Sequence, residues 1–263
     1  MAFSFCFPTT AVMGILNITP DSFSDGGRYT DTARAVARAR EIEREGAAIL
    51  DIGAQSTRPD AALLSAEEEW ARLAPVLTAL QGQLTIPVSV DTFYPSVAEC
   101  ALQHGACILN DVSGSLENGF PALAARYGAG LVMMARDAAH PADIRAYFET
   151  ALKEAARAGL ASSQVCLDIG IGFHKTREAD LDAVRHLQDI LDGLPNAVLV
   201  GASRKRVIAY AGGDAPVGER LGGTVALHTT AQLRGATVLR AHDVKEAVQA
   251  AAVIDMLLNK RSV

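Results

Sequence analysis

Along this sequence, polar side chains recur in one setting, at the C-terminal end of a short run that is otherwise apolar. Asn17 ends VMGILN, Asp51 lies in ILDIG, Asp91 in VSVDT, Asn110 in ILND and Asp168 in VCLD; Ser203 follows AVLVGA, and Arg240 and His242 lie in TVLRAHD. Any one of these could cap a helix or satisfy loop backbone groups. A whole ring of them on one face of a fold argues for a binding site. The types fall into two sets. Asp91, Asn110 and Asp168 combine carboxylate acceptors with an amide that donates and accepts, an array suited to a flat heterocycle with adjacent ring N–H and amino groups. Lys205, Arg240 and His242 supply cations, joined by Arg58 and Arg204 in loops, as a phosphate ester or diphosphate requires. Asn17 adds a hard oxygen suited to a Mg²⁺ carried mainly by phosphate oxygens and water. The ring reads as a site for a phosphorylated or pyrophosphorylated heterocycle.

The elements that must position this ring repeat eight times. The apolar runs cover residues 12–19, 47–54, 86–92, 107–114, 130–135, 165–170, 197–203 and 237–243. They are near-continuously hydrophobic, as strands buried on both faces must be. Helical segments stand between them. Ser65 and Glu68 have capping-box spacing ahead of an apolar stripe of Trp70, Leu73, Val76 and Leu77. Asp31 is expected to cap the segment that ends at Gly46, Pro95 to open the one that ends at Gly105, and Asp243 with Glu246 to cap the last helix. Strict alternation without a Pro-, Gly- or Ser-rich linker predicts an α/β fold, a (β/α)8 TIM barrel forming a single domain over residues 1–263. The segment FSFCFPTT (3–10) is placed as a plug in the barrel bottom. In a barrel of this kind the ring of polar strand ends faces the catalytic mouth.

Bulk properties narrow the partners. A net charge of −6 over 263 residues argues against a nucleic-acid track, though not against a small anion in one cleft. No apolar run approaches the ~20 residues needed to span a bilayer, and Met1 to Gly14 lacks a basic leader region. Cys6, Cys100, Cys107 and Cys166 form no Cys-x-x-Cys pair and read as reduced thiols of a cytoplasmic protein. GIGFHKT (170–176) lacks the Walker spacing, so a P-loop is rejected. Phe23, in the polar loop DSFSDGG (21–27), reads equally as a local plug or as a ring packing on a bound aromatic.

The segments MGILNITPDSFSDGG (13–27), ILDIGAQSTRP (49–59), VSVDTF (88–93), ILNDVSG (108–114), DIGIGFHKT (168–176), SRK (203–205) and LRAHDV (239–244) resemble the dihydropteroate synthases, in the family's order and over nearly the whole chain. The resemblance implies a folate-pathway transferase on a barrel, requiring Mg²⁺. Such an enzyme condenses 6-hydroxymethyl-7,8-dihydropterin diphosphate with p-aminobenzoate, giving 7,8-dihydropteroate and diphosphate. By resemblance, Asp91, Asn110, Met133, Asp168, Phe173, Lys205 and Arg240 would bind the pterin, with Arg240 stacking on its plane. Asn17, Arg58, Arg240 and His242 would hold the diphosphate, and Asn17 would meet the metal. Phe23, Thr57, Arg58, Pro59 and Ser203 would form the p-aminobenzoate side. Asn17, Asp91, Lys205 and Arg240 would carry catalysis.

The chain departs from the family pattern at Gln55 (usually Glu), Asp60 (Gly), Ile169 (Pro), His174 (Gly) and Ala209 (Gly), and in MMARD (133–137) where Met-His-Met is usual. These bear on loop shape, p-aminobenzoate affinity and sulfonamide sensitivity. Two rivals are a pterin-binding methyltransferase, which needs no diphosphate site, and a catalytically silent homologue. The polar loops DSFSDGG and QSTRPD are expected to be mobile lids. The Ala-rich last helix, together with the family habit, points to a homodimer.

Overall fold

Strands that are apolar on both faces need a packed layer on each side. The structure, a computed structural model describing residues 2–18, 28–55 and 63–260, meets this with eight parallel strands closed into a barrel and wrapped by helices. In chain order the first half runs β1 (Ala11–Asn17), α1 (Arg28–Arg44), β2 (Ile49–Gly53), α2 (Ala66–Leu80), β3 (Val88–Thr92), α3 (Pro95–Gln103), β4 (Ile108–Asp111) and α4 (Phe120–Tyr127). The second half runs β5 (Gly130–Met134), α5 (Pro141–Arg157), β6 (Val165–Asp168), α6 (Arg177–Arg185), α7 (Leu187–Leu191), β7 (Ala197–Val200), α8 (Arg206–Ala211), α9 (Leu221–Leu233), β8 (Val238–Ala241) and α10 (Val244–Leu257). Each strand pairs with its sequence neighbours, and β8 pairs with β1 to close the ring.

Alternation along the strands divides the core into two layers. Met13, Ile49, Ile108, Val132, Cys166, Leu199 and Val238 pack together inside the barrel. Leu50, Val90, Leu109, Leu131, Leu167 and Leu239 face outward, against helix residues such as Ile42, Leu73, Phe120 and Phe148. The bottom of the interior is stoppered as the segment 3–10 suggested. Phe5 is buried in the inner layer, and the backbone N–H groups of Phe3 and Phe5 donate to Gly128 O and Ser163 O, 2.9 and 2.8 Å away. Gly130 opens β5 because a Cβ there would lie 2.5 Å from the Phe3 ring.

Helix starts follow the sequence signals in part. Ser65 Oγ accepts the Glu68 N–H at 3.2 Å and Glu68 Oε2 accepts the Ser65 N–H at 2.8 Å, the full capping box expected for α2. Pro95 opens α3. Two caps differ from expectation. Helix α1 already begins at Arg28, so Asp31 lies in its first turn, where its charge suits the helix dipole. Asp243 stands before α10, but its side chain makes no cap bond because Arg204 takes both oxygens. A charge-assisted fork outcompetes a single backbone N–H.

Phe5→Ala should lower stability by roughly 3 kcal/mol in urea denaturation, as truncation of a buried aromatic does. Because the plug lies at the end remote from the polar strand termini, substrate KM should not change.

Candidate active site

The registers put the polar strand ends on the inner side of the barrel mouth. Ile15 is level with Asp51, Asp51 with Ser89, Asp91 with Asn110, and Asn110 with Val132 of the inner layer. Asn17 ends β1 two residues beyond Ile15 and is half-buried. Arg240, level with Met13, rises from β8 into the same space. Its guanidinium bridges two acids from across the barrel: Nε donates to Asp51 Oδ2 and Nη2 to Asp91 Oδ2, both at 2.6 Å. Asp51 is wholly buried, and its Oδ2 also accepts from Asn110 Nδ2 at 3.1 Å. That contact orients the amide, because Asp51 offers only acceptors. Asn110 Oδ1 is thereby left buried with no partner among the described residues. Burial pushes the Asp91 carboxyl up, against the pull of Arg240, while the acids raise Arg240 further above its ordinary range.

The other wall is built from the loop after β6. Asp168 is buried and its Oδ1 accepts the Gly170 N–H at 2.8 Å. Lys205, just before α8, donates from Nζ to Ile171 O and sits 4.6 Å from the centre of the Phe173 ring. Burial lowers its ammonium to about 8, with Asp168 the main group pulling it back. Gly172 has φ 78°, and a Cβ there would press to 2.9 Å from the Lys205 chain, so both conformation and space require glycine.

Ser203 and His242 meet at the β7–β8 side. The His242 backbone N–H donates to Ser203 Oγ at 3.2 Å, and Nδ1 lies 3.0 Å from the same oxygen. Burial, then Arg240 and Arg204, lower the His242 ring to about 4. The half-buried ring is thereby biased toward its neutral form in the free protein, whereas the sequence alone reads it as a cation. Arg204 is likewise not a spare cation, since it forks onto Asp243.

The chain is similar to known proteins over most of its length. The family described as pterin binding enzyme matches residues 13–242. The dihydropteroate synthase of Bacillus subtilis is 39% identical over 97% of this chain and 90% of its own length. The chain belongs to the dihydropteroate synthases. A Clostridium difficile dihydropteroate synthase, solved in the presence of pteroic acid, superposes with a TM-score of 0.90 at 34% identity, covering 95% of this chain and 97% of that one. One from Xanthomonas albilineans, in complex with 7,8-dihydropteroate, gives 0.86 at 36% identity, covering 95% and 94%.

Against the family pattern, one expected pterin residue is displaced. Met133 is level with Asp111 and Leu167 and packs in the outer layer, whereas Met134 is level with Asp168. Strand parity puts Met134, not Met133, on the mouth side. The departures are accommodated locally. His174 adopts φ 43° and its Nδ1 pairs with Asp137 Oδ1 at 2.6 Å, while Gln55 Oε1 accepts the Leu64 N–H at 3.0 Å. Ile169 and Ala209 are buried. Phe23, Thr57, Arg58, Pro59 and Asp60, and with them the loop 21–27 and all of the loop 55–60 but Gln55, lie outside the described residues.

Asp51 and Lys175 had no assigned role from sequence. Asp51 was visible only as one acid of the ring, because a buried charge inside ILDIG does not name its partner. Lys175 carries no periodic signal at all. Because His242 is held near 4, its ring should stay neutral from pH 8 down to about pH 5 in the free protein. Its ring resonances, followed by NMR against a His242→Gln control, should be flat over that window.

Proposed function

We propose that this chain condenses 6-hydroxymethyl-7,8-dihydropterin diphosphate with p-aminobenzoate, as the named relatives do. The observation carrying the reading is the mouth itself: a buried Asn110 Oδ1 without a partner among the described residues and a buried Asp168 beside a guanidinium braced by two acids. Asp168 and Asn110 accept and donate along the N/O edge of the pterin, and Lys205 with Phe173 borders its ring. Arg240, fixed by Asp51 and Asp91, stacks on that ring and reaches the diphosphate together with Asn17 and the neutral N–H of His242. Asp91, as carboxylate, stabilises the cation that develops when the methylene C–O bond breaks. The p-aminobenzoate nitrogen then attacks that carbon, and its proton leaves to diphosphate or water. Ser203, with Phe23, Thr57, Arg58 and Pro59, would line the p-aminobenzoate side, and Arg58 would join the diphosphate.

The donor set fits a Mg²⁺ that arrives on the diphosphate. Among the described residues no group of three or more His, Cys, Asp or Glu could hold a metal. A substrate-borne Mg²⁺ keeps its water and phosphate oxygens, and Asn17 would supply one hard oxygen at the end of β1. When bound, the ion neutralises charge growing on the leaving diphosphate.

Two coarser features belong to the same proposal. Val253, Met256 and Leu257 of α10 are exposed apolar side chains, 56%, 76% and 70% accessible, and favour a homodimer through that helix. The four cysteines are free, which suits the cytoplasm. No described helix is long and apolar enough to cross a membrane.

Diphosphate release from dihydropterin diphosphate with Mg²⁺ and p-aminobenzoate should occur, and should stop without p-aminobenzoate; no turnover of the complete mixture would refute the proposal. Arg240→Lys should lower kcat/KM at least about 100-fold, because an ammonium has neither the fork for two acids nor a plane to stack. Near-normal kcat/KM would remove the clamp role. Equilibrium titration should show negligible p-aminobenzoate binding to the free protein and measurable binding once pterin and magnesium diphosphate are present. Equal affinity in both states would mean a preformed site.

A further inference from the structure

Lys175 is a buried cation that the reaction does not use. Its side chain reaches inward from the loop after β6, the residue is 6% exposed, and its ammonium donates to Ala135 O at 2.5 Å, Gly170 O at 3.1 Å and Arg136 O at 3.2 Å. Three donors thus meet three carbonyl oxygens, and among the described residues no carboxylate lies in ion-pair contact with it. Burial lowers this ammonium, and its three hydrogen bonds together with the charges of Asp168, Asp180 and Asp137 oppose that cost.

The contacts form a closed ring around Asp168. The Asp168 carboxylate accepts the Gly170 N–H, Gly170 O accepts from Lys175, Lys175 holds Ala135 O, and the Ala135 N–H returns to Asp168 O at 2.8 Å. The Phe173 N–H donates to the same Gly170 O at 3.2 Å, so the ring also sets the aromatic beneath Lys205. Gly170 has φ 68°, and a Cβ there would lie 2.7 Å from Ala135 O and 2.9 Å from the ammonium, so no other residue fits the junction.

Resting on the function proposed above, we propose that Lys175 is the positioning residue of the pterin wall. Its ammonium locks the loops after β5 and β6 so that Asp168 and Phe173 meet the substrate. It touches no reacting atom. The titratable groups facing Asp168 are Lys205 after β7, Lys175, Arg240 on β8, Asp91 from β3, Cys166 on β6 and Tyr147 of α5. Those facing Lys175 are Asp168, Asp180 of α6 and Asp137 after β5. Burial already raises Asp168, and Lys205 and Lys175 oppose it; losing one cation raises it further. Pterin recognition needs the carboxylate, so activity is present above the Asp168 pKa and is lost as pH falls through it. Removing the Lys175 charge must move that acid limb to higher pH.

The test is steady-state kinetics of Lys175→Met and Lys175→Gln across pH with varied dihydropterin diphosphate, beside the wild-type protein. Lys175→Met should raise the pterin KM about tenfold or more with kcat little changed, and shift the acid limb of kcat/KM to higher pH. Lys175→Gln keeps an N–H donor without the charge, so it should recover part of the KM while leaving the limb shifted. A folded Lys175→Met protein with wild-type KM and acid limb overturns the proposal. If that variant does not fold, the same result for Lys175→Gln overturns it. An inactive wild type would strike the function instead, and Lys175 would then be judged by whether calorimetry shows weakened pterin binding in the two variants.

Discussion

A guanidinium and two carboxylates sit where an apolar barrel opens to solvent, and everything at the mouth is organised by how these charges satisfy one another. Arg240 comes from β8, Asp51 from β2 and Asp91 from β3, so their two short contacts reach across the barrel opening. Loss of one partner from such a buried set would leave an uncompensated charge, at a cost of about 3–5 kcal/mol. The pairing also decides what remains for a ligand. Arg240 and Asn110 share Asp51 Oδ2, while Asp51 Oδ1 and Asn110 Oδ1 stay buried with no partner among the described residues.

Rigidity in this site is unequally distributed. Asp51, Asp91 and Asn110 stand on strands packed on both faces, where side chains have little freedom to reorganise. Asp168 ends β6, but its carboxylate is held by the loop that follows, and that loop is held by a buried ammonium as well as by the packing of Ile169 and Ile171. The site thus combines a wall set by the barrel with one set by hydrogen bonds to backbone carbonyls. Such preorganised dipoles suit a reaction whose main demand is stabilisation of growing charge.

The cations are not equivalent, although their sequence types suggest that they are. Arg240 is fixed and permanently charged, Lys205 is weakened by burial, His242 is biased toward its neutral form and Arg204 is neutralised by Asp243. Positive charge is concentrated at one place instead of spread around the mouth. A leaving diphosphate is served best by charge held at its point of departure.

The barrel, the order of its strands and the ring of polar strand ends were legible in the sequence because they are local, although most apolar runs extend past the strand ends, as 107–114 does for β4. Continuous apolar runs, the capping pair Ser65 and Glu68, and Pro95 each speak for their own segment. What the tertiary structure alone decided was pairing and parity. Arg240 with Asp51 joins residues 189 apart in sequence, and nothing near either one names the other. Asp243 looks like a helix cap until Arg204 arrives from the loop after β7. Met133 and Met134 are chemically alike, and only the register against β6 tells which one faces the mouth. Lys175 is a lysine in a loop until the fold brings three carbonyls around it. Residue type sets what a group can do, but burial and partner set its charge and direction, and both arise only when distant segments meet.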